Sequence, residues 1–303
     1  MSRLLVLGNA GLDISLPVPR LPEAGETLVG GAASRAPGGK GLNQATVAAR
    51  TGLLPVAFCA PIGDDGEGRE IAHRLQAERF VDLDLRPTAV ATDLSVLLVS
   101  LGGENSIVTS GACAAGFPVA AAVSFAERLD AGDWLLLQGN LGTAATLAAI
   151  EAAASRGARV MLNTAPLEPA LAGEAAHAVL GRCDVVVANA VEARDLTGTN
   201  GPAAVQALRA LGAETVVVTL GGDGCLLSGE GTVHHLPASA TSVVDTSGAG
   251  DTFCGVLAAL LAVGRSAITA AAVAQQAAAL AVARPGAFLA LPTAAELHPL
   301  VAE

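Results

Sequence analysis

Aromatic side chains are scarce in this chain, whose 303 residues include no Tyr, one Trp and six Phe. Sites that hold a nucleobase often stack it on an aromatic ring, so this composition speaks against a site of that kind. Aliphatic residues and Ala supply most of the 52% hydrophobic content instead. Such a composition is typical of strands whose two faces are covered by Ala-rich helices.

Positive charge is also scarce. The 17 Lys and Arg residues stand against 28 Asp and Glu, and the formal net charge of −11 argues against a nucleic-acid partner. No apolar stretch reaches membrane-spanning length without Gly, Asp or Arg, and no charged-then-apolar leader opens the sequence. We therefore expect a cytoplasmic protein that binds neither nucleic acid nor membrane.

Disulfide and metal signatures are missing among the cysteines. The five Cys residues show neither CxxC nor CxxH spacing and lie in or beside apolar segments, so we expect buried free thiols. They are Cys59, Cys113, Cys183, Cys225 and Cys254.

Strand and helix patterns alternate along most of the chain, and no repeat, low-complexity tract or linker interrupts them. This alternation predicts right-handed crossovers and an α/β fold with a doubly wound, mostly parallel sheet, whose ligands lie at the carboxyl ends of the strands. Two segments, about 13–37 and 93–110, do not fit the alternation, and we expect them to form a small β lid at one edge of the core. The sequence thus predicts a single domain over residues 1–303.

The run DTSGAGDTFCGVLAALL at residues 245–261 combines an acidic loop, a Gly-Ala-Gly turn and an apolar helix that ends at Gly264. Unpaired backbone amides at such a helix start form a socket for an anion. Asp251 lies beside this socket, where its charge would repel an anionic ligand. A carboxylate there suits proton removal from a hydroxyl that attacks a phosphoryl group. The alternative is that Asp251 only caps the helix.

A second glycine motif, GGKGLN at residues 38–43, opens a predicted helix that ends at Gly52. Lys40 is the only lysine of the chain. Asn43 lies one turn further on the same helix face, where its amide can donate to and accept from hydroxyls. The alternative is a Gly-rich loop with a solvated lysine.

Together the two motifs closely resemble the two signatures of the ribokinase-like (phosphofructokinase B) sugar kinases, and the resemblance covers essentially the whole chain. It implies an enzyme that transfers the γ-phosphoryl group of ATP to a hydroxyl of a sugar. The implied base is Asp251, and the implied anion hole consists of the amides of Gly248, Ala249 and Gly250. The implied acceptor contacts are Asp13, Gly39, Lys40, Asn43, Asn140 and Asp251.

The resemblance also implies the ATP site. The segment NAVE at residues 189–192 matches an NxxE motif whose Glu, here Glu192, acts through water to place Mg²⁺ near the phosphates. The alternative is an ordinary first-turn Glu. The implied nucleotide contacts are Asn189, Thr219, Gly221, Gly224, Gly250 and Gln275.

A potassium site is implied beside the anion hole. Related kinases place K⁺ between the Asp that matches Asp245 and several backbone carbonyls, and such oxygens suit a hard cation. A Ser often found near this site is Ala290 here, and the alternative is that Asp245 caps a turn. The corresponding carbonyls belong to Ser247, Ala281, Arg284 and Gly286.

Two acceptor positions depart from the ribokinase pattern, because Gly11 replaces an Asn and Asn140 replaces a Glu. Both contact the sugar in that family, so the sugar stays open. A nucleoside kinase of the same fold is the alternative, against which the scarcity of aromatics speaks. A non-catalytic sugar or nucleotide sensor would be expected to lose the base or the anion hole. An exposed lid edge predicts a homodimer.

Overall fold

The computed structural model describes residues 2–100, 105–166, 178–229 and 231–302. The strands are β1 (Leu4–Leu7), β2 (Gly11–Val18), β3 (Ser34–Gly38), β4 (Val56–Gly63), β5 (Asp82–Thr88), β6 (Asp93–Ser100), β7 (Asn105–Thr109), β8 (Trp134–Gln138), β9 (Arg159–Asn163), β10 (Val185–Asn189), β11 (Thr215–Thr219), β12 (Cys225–Ser228) and β13 (Val233–Leu236). The helices are α1 (Lys40–Thr51), α2 (Gly66–Leu75), α3 (Ala112–Ala115), α4 (Val119–Ala126), α5 (Thr143–Ser155), α6 (Ala190–Thr197), α7 (Gly201–Ala210), α8 (Ala249–Ala262), α9 (Ala267–Val282) and α10 (Ala294–Val301).

Nine strands form one sheet in the order β13-β12-β11-β10-β9-β8-β1-β4-β5. Pairing is parallel from β5 to β11, and only β12 and β13 run antiparallel to their neighbours. Successive side chains of a strand point to opposite faces of the sheet, and helices cover both faces. In β1, Leu4 and Val6 join the core under α1, α8 and α9, while Leu5 and Leu7 join the core under α4 and α5. The predicted doubly wound α/β fold is confirmed.

Helices α1 and α8 lie in close contact. A Cβ atom on Gly255 of α8 would lie 2.5 Å from the backbone oxygen of Gln44 and 3.1 Å from Cβ of Val47. Only glycine leaves room for this approach. Because α1 begins at the first glycine motif and α8 at the second, their packing brings the two motifs together.

Strands β2, β3, β6 and β7 form a separate four-stranded sheet, in the order β3-β2-β6-β7, which we call the small sheet. The two segments expected to form a small β lid supply these strands, and within this sheet β2 uses both of its edges, pairing antiparallel with β3 and parallel with β6. The predicted hairpin turn at Gly102 and Gly103 lies outside the described residues, as does most of a helix predicted near 174–180.

Two further observations concern the helices. The sequence predicts that Asp64, in the acidic turn before α2, caps this helix. Asp65 has that position instead, since Asp65 Oδ1 accepts from the Gly68 backbone N–H at 2.8 Å. Across the described ranges, no helix combines the length and apolar character needed to cross a bilayer.

Candidate active site

Asp251 lies in the first turn of α8, with Gly248 at the N-cap position. The backbone N–H groups of this turn have no intrahelical acceptor and carry the positive end of the helix dipole. The Asp251 side chain is only 8% exposed. The predicted base and the predicted anion socket therefore share one helix turn, as the second motif indicated.

Two side chains of α1 hold the Asp251 carboxylate. Asn43 Nδ2 donates to Asp251 Oδ2 at 3.0 Å, and Gln44 Nε2 donates to Asp251 Oδ1 at 3.0 Å. A carboxylate that receives two amide N–H groups is fixed in orientation and is stabilised in its charged form.

A cavity of about 410 Å³ lies between the small sheet and the carboxyl ends of the main-sheet strands, and we call it the acceptor cavity. Two amide oxygens at its wall, Asn43 Oδ1 and Asn140 Oδ1, are buried and have no hydrogen-bond partner among the described residues. Orphaned acceptors of this kind suit the hydroxyl groups of a ligand. The wall contains every residue predicted to contact the acceptor, namely Asp13, Gly39, Lys40, Asn43, Asn140 and Asp251.

Asp13 of β2 lies in an environment that disfavours its charge. Burial raises its pKa to about 6, the Ser95 hydroxyl lowers it through a hydrogen bond, and the nearby Asp251 charge raises it again. Thr109 Oγ1 in turn donates to Ser95 Oγ at 3.1 Å. The small sheet thus supplies both the carboxylate and the hydroxyls that hold it.

A second, smaller cavity of about 70 Å³ adjoins the start of α8, and we call it the phosphate-side cavity. Its wall includes Lys40, which also lines the acceptor cavity, so the only lysine lies between the two spaces. The predicted nucleotide residues Asn189, Thr219 and Gly250 and the predicted magnesium residue Glu192 all line it.

Glu192 is engaged within the protein. Its Oε2 accepts from the Asn189 backbone N–H at 3.0 Å and from Thr164 Oγ1 at 2.9 Å, and its Oε1 accepts from Asn189 Nδ2 at 2.7 Å. In return, the Glu192 backbone N–H donates to Asn189 Oδ1, which completes a capping box at the start of α6. Glu192 therefore caps α6 as a first-turn Glu, which was the predicted alternative, and it also lines the phosphate-side cavity.

The other predicted nucleotide residues lie around the β11–β12 hairpin. Gly221 begins the 3-10 turn Gly221–Asp223 that joins the two strands, and Gly224 follows it. Gln275 of α9 donates through Nε2 to the backbone oxygen of Leu236 at 2.8 Å and of Pro237 at 3.3 Å. Its amide thus anchors the segment after β13.

Asp245 connects two loops. Its Oδ1 accepts from the Ser247 backbone N–H at 2.9 Å, and its Oδ2 accepts from the Gly286 backbone N–H at 2.8 Å. Burial favours the neutral form of the carboxyl, but these backbone hydrogen bonds outweigh it and hold the pKa of Asp245 below its ordinary value. Asp245 therefore does more than cap its own turn, because it joins the loop before α8 to the loop after α9.

Two of the four residues predicted to supply potassium carbonyls contact this carboxylate, through their backbone N–H groups. Ser247 and Gly286 are its direct partners, and both line a further cavity of about 440 Å³ together with Asp245. Ala281 accepts from the Arg284 backbone N–H at 3.1 Å at the end of α9. Ala290, the departure from the family pattern, is fully buried.

The five cysteines are buried thiols. All five are free, and burial raises the pKa of Cys59, Cys183, Cys225 and Cys254. In the described part of the chain, no group of three or more His, Cys, Asp or Glu side chains is arranged to hold a metal ion. A bound cation would therefore depend on carbonyls, water or phosphate oxygens.

Sequence reasoning missed two buried glutamines, Gln44 and Gln138. Gln44 follows Asn43 directly, and neighbouring helix residues point about 100° apart, so the motif gave no reason to place both at one carboxylate. Gln138 is the last residue of β8 and donates through Nε2 to Gln44 Oε1 at 2.9 Å. A polar residue at the end of an otherwise apolar buried strand was the available signal.

The fold and this geometry are those of a kinase-like site, with a buried carboxylate in the first turn of a helix beside a hydroxyl-lined cavity. The family model for pfkB family carbohydrate kinases matches residues 1–294, so the chain belongs to this family. The expectation of a phosphotransferase with an alcohol group as acceptor is confirmed.

Curated relatives and solved structures point the same way. A ribokinase of Haemophilus influenzae is 31% identical over 300 residues, which cover 97% of this chain and 96% of that protein. A ribokinase structure from Thermotoga maritima matches with a TM-score of 0.89 at 25% identity over 100% of both chains. A structure of Arabidopsis thaliana ribokinase complexed with ribose and ATP matches with a TM-score of 0.85 at 26% identity over 99% of each chain.

Proposed function

We propose that this protein transfers the γ-phosphoryl group of ATP to a hydroxyl of an unphosphorylated sugar. The observation that carries the proposal is the place of Asp251, whose buried carboxylate lines the acceptor cavity while sharing a helix turn with the anion socket. The similarity to the ribokinase of Haemophilus influenzae and to the structure of Arabidopsis thaliana ribokinase complexed with ribose and ATP supports this reaction class.

Each part of the site has a role in this reaction. Asp251 removes the proton from the attacking hydroxyl, since its carboxylate is the acidic group beside the socket. The amides of Gly248, Ala249 and Gly250 stabilise the charge that develops on the transferred phosphoryl group. Lys40 lines both cavities and supplies positive charge between acceptor and phosphate.

The charges around the acceptor cavity favour a neutral sugar over a sugar phosphate. Among the described residues that line it, Asp13, Asp93 and Asp251 are acidic and Lys40 alone is cationic. A phosphate group on the acceptor would face carboxylates without an Arg to pair with it. The unpaired oxygens of Asn43 and Asn140 accept hydroxyl hydrogens instead.

Two metal ions are part of this proposal. Glu192 would help to hold Mg²⁺ through water, since its oxygens already accept three hydrogen bonds and direct ligation would break them; when bound, the ion would supply positive charge beside the phosphates. K⁺ would lie near Asp245 and the carbonyls of the loops it joins, where its charge would orient the amides of the socket.

The small sheet serves as the lid of the site, contributed by residues of about 13–37 and 93–110 within one kinase domain. Its edge strand β7 carries the exposed apolar side chains of Ile107 and Val108, at 49% and 73% exposure. An edge strand with exposed apolar residues is suited to pairing with another chain. We therefore propose a homodimer formed through the lid.

The test is ATP consumption measured with a panel of neutral sugars, nucleosides and sugar phosphates. The neutral sugars in the panel include ribose and its epimers, and we expect turnover with one or more neutral sugars. Turnover with nucleosides alone would replace this function by the nucleoside kinase alternative. Binding of sugar or ATP without turnover of any compound would favour a sensor.

A further inference from the structure

A chain of buried side-chain amides connects the main sheet to the Asp251 carboxylate. Gln138 Nε2 donates to Gln44 Oε1 at 2.9 Å. Gln44 Nε2 then donates to Asp251 Oδ1 and to Asn163 Oδ1, both at 3.0 Å. Asn163 Nδ2 donates to the Val187 backbone oxygen at 3.1 Å. The chain thus connects the ends of β8, β9 and β10 to the start of α8.

The direction of this chain is set at a backbone group. A backbone carbonyl can only accept, so Val187 forces Asn163 to present its Nδ2 to the strand and its Oδ1 to Gln44. Gln44 must then point its Nε2 toward Asn163, and the same nitrogen meets Asp251. The Gln44 Oε1 atom then accepts from Gln138 Nε2, the remaining member of this series of amides. The arrangement therefore presents an N–H donor, not an oxygen, to the carboxylate.

Packing holds the two glutamines in place. Gln44 and Gln138 are both fully buried, so neither amide can turn toward solvent. A Cβ on Gly8 would lie 2.0 Å from Gln138 Oε1, which means that β8 and the turn after β1 meet at this amide. The close α1–α8 contact at Gly255 sets the distance from the Gln44 backbone to Asp251.

We propose that Gln44 is a positioning residue that fixes the orientation and the charged form of the Asp251 carboxylate, and that Gln138 positions Gln44 in turn. This inference rests on the proposed role of Asp251 as the base. Holding Oδ1 with Gln44 and Oδ2 with Asn43 leaves the carboxylate in one orientation toward the acceptor cavity. An N–H donated to a carboxylate favours its charged form, which is the form that removes a proton.

Other titratable groups also face Asp251, and a test based on pH has to hold them constant. Asp13 from β2 interacts with it electrostatically, and Lys40 from α1 lines both cavities at its side. The remaining groups are Asp93 at the acceptor cavity, and Glu192 from α6 and Cys254 from α8 at the phosphate-side cavity. Variants at positions 44 and 138 leave all of these side chains unchanged.

The decisive experiment compares the pH profiles of kcat for the wild type, Gln44→Met and Gln44→Glu. Gln44→Met removes the donor while keeping a similar shape. It should move the acidic limb of the profile upward by roughly one pH unit and lower kcat at the optimum by roughly 10–100-fold. The KM values for sugar and ATP should stay within about threefold, since Gln44 is fully buried and lines neither the acceptor cavity nor the phosphate-side cavity. Gln44→Glu places a second carboxylate beside the first and should shift the limb further.

Gln138→Met should move the acidic limb in the same direction by a smaller amount, because it frees Gln44 without removing it. Gln206→Glu, the same chemical change at an exposed position of α7, is the control and should leave the profile unchanged. Thermal unfolding of every variant identifies loss of fold. If both position-44 variants are unfolded, Gln138→Met decides alone.

An unshifted acidic limb in the folded variants overturns the inference. A fall in kcat with no change in the limb also overturns it, since a purely structural role predicts that result. Asp251→Asn separates this inference from the proposed function. If Asp251→Asn keeps wild-type turnover, the base assignment itself is wrong, whatever the glutamine variants do.

Discussion

The acceptor cavity and the phosphate-side cavity meet at Lys40, yet they are built differently. On the acceptor side, the side-chain oxygens of Asn43 and Asn140 are buried without partners among the described residues. On the phosphate side, Asn189 and Glu192 bond each other in a capping box. We therefore propose that the acceptor side recognises its ligand through side chains, whereas the phosphate side offers backbone amides on a scaffold that its polar side chains hold together.

Asp251 lines the acceptor cavity and directly follows Gly250, which lines the phosphate-side cavity, so its replacement should have the largest effect. We predict that Asp251→Asn lowers kcat by roughly 10²–10⁴, the contribution typical of a general base. Affinity for ATP should change little or rise, because a negative charge beside the anion socket disappears. Steady-state kinetics and equilibrium binding of ATP measure the two quantities. Near wild-type turnover would contradict the assignment.

The second prediction tests whether the two sides are assigned correctly. Asn43→Ala should raise the sugar KM by roughly 10–100-fold, the range expected when a buried polar contact is lost. The ATP KM should change far less. Asn189→Ala is the matched variant on the phosphate side and should instead raise the ATP KM and loosen α6. If Asn43→Ala impairs ATP binding most, the first motif belongs to the nucleotide and the two sides are exchanged.

Both motifs lie at helix starts, and the glycines mark the positions of these starts in the sequence. Asp251, Lys40 and Asn43 line one cavity, since α1 and α8 pack at Gly255, and their roles in the reaction stay predictions. The contact between those helices joins residues about 200 positions apart, and no local pattern encodes it. Gln44 was missed for that reason: its partner Asp251 becomes visible only when the two helices are packed.

The small sheet teaches a similar lesson. Its strands were recognisable from their local composition, but their pairing was not. β2 pairs with β6, which lies far along the chain, and this parallel register depends on the folded core beneath it. Local patterns therefore predicted the strands and their membership of a small β lid, but not the order in which the strands pair.

The third prediction concerns Asp245, which joins the loop before α8 to the loop after α9. We predict that K⁺ activates the wild type relative to a bulky organic cation at equal ionic strength. Asp245→Ala should abolish that difference and lower turnover by roughly 10-fold or more. It should also reduce thermal stability, since the bonds to Ser247 and Gly286 are lost. Equal turnover of the wild type with and without K⁺ would contradict the potassium site and would leave Asp245 only the role of joining the two loops.

The smallest expected effect concerns Asp13, the acceptor-side carboxylate whose folded-state pKa is raised, chiefly by burial, from its ordinary value of 3.8 to about 6. Between these two pH values the folded protein binds more protons than the unfolded chain, so stability falls as pH rises through this window. At pH 8 the charged, buried carboxylate destabilises the fold; at pH 4 and below it does not.

We therefore predict that Asp13→Asn, without ligand, raises Tm at pH 8 by roughly 2 °C, the shift that about 1 kcal/mol produces in a large domain. The two proteins should have equal Tm values at pH 4 after correction for any pH-independent difference. Ser95→Ala sharpens the test: it removes a hydrogen bond that lowers the Asp13 pKa, so the fall in stability should extend to higher pH. Because a charged carboxylate is the better acceptor for sugar hydroxyls, the wild-type sugar KM should rise as pH falls below about 6. A Tm difference between wild type and Asp13→Asn that is the same at every pH would contradict the raised pKa.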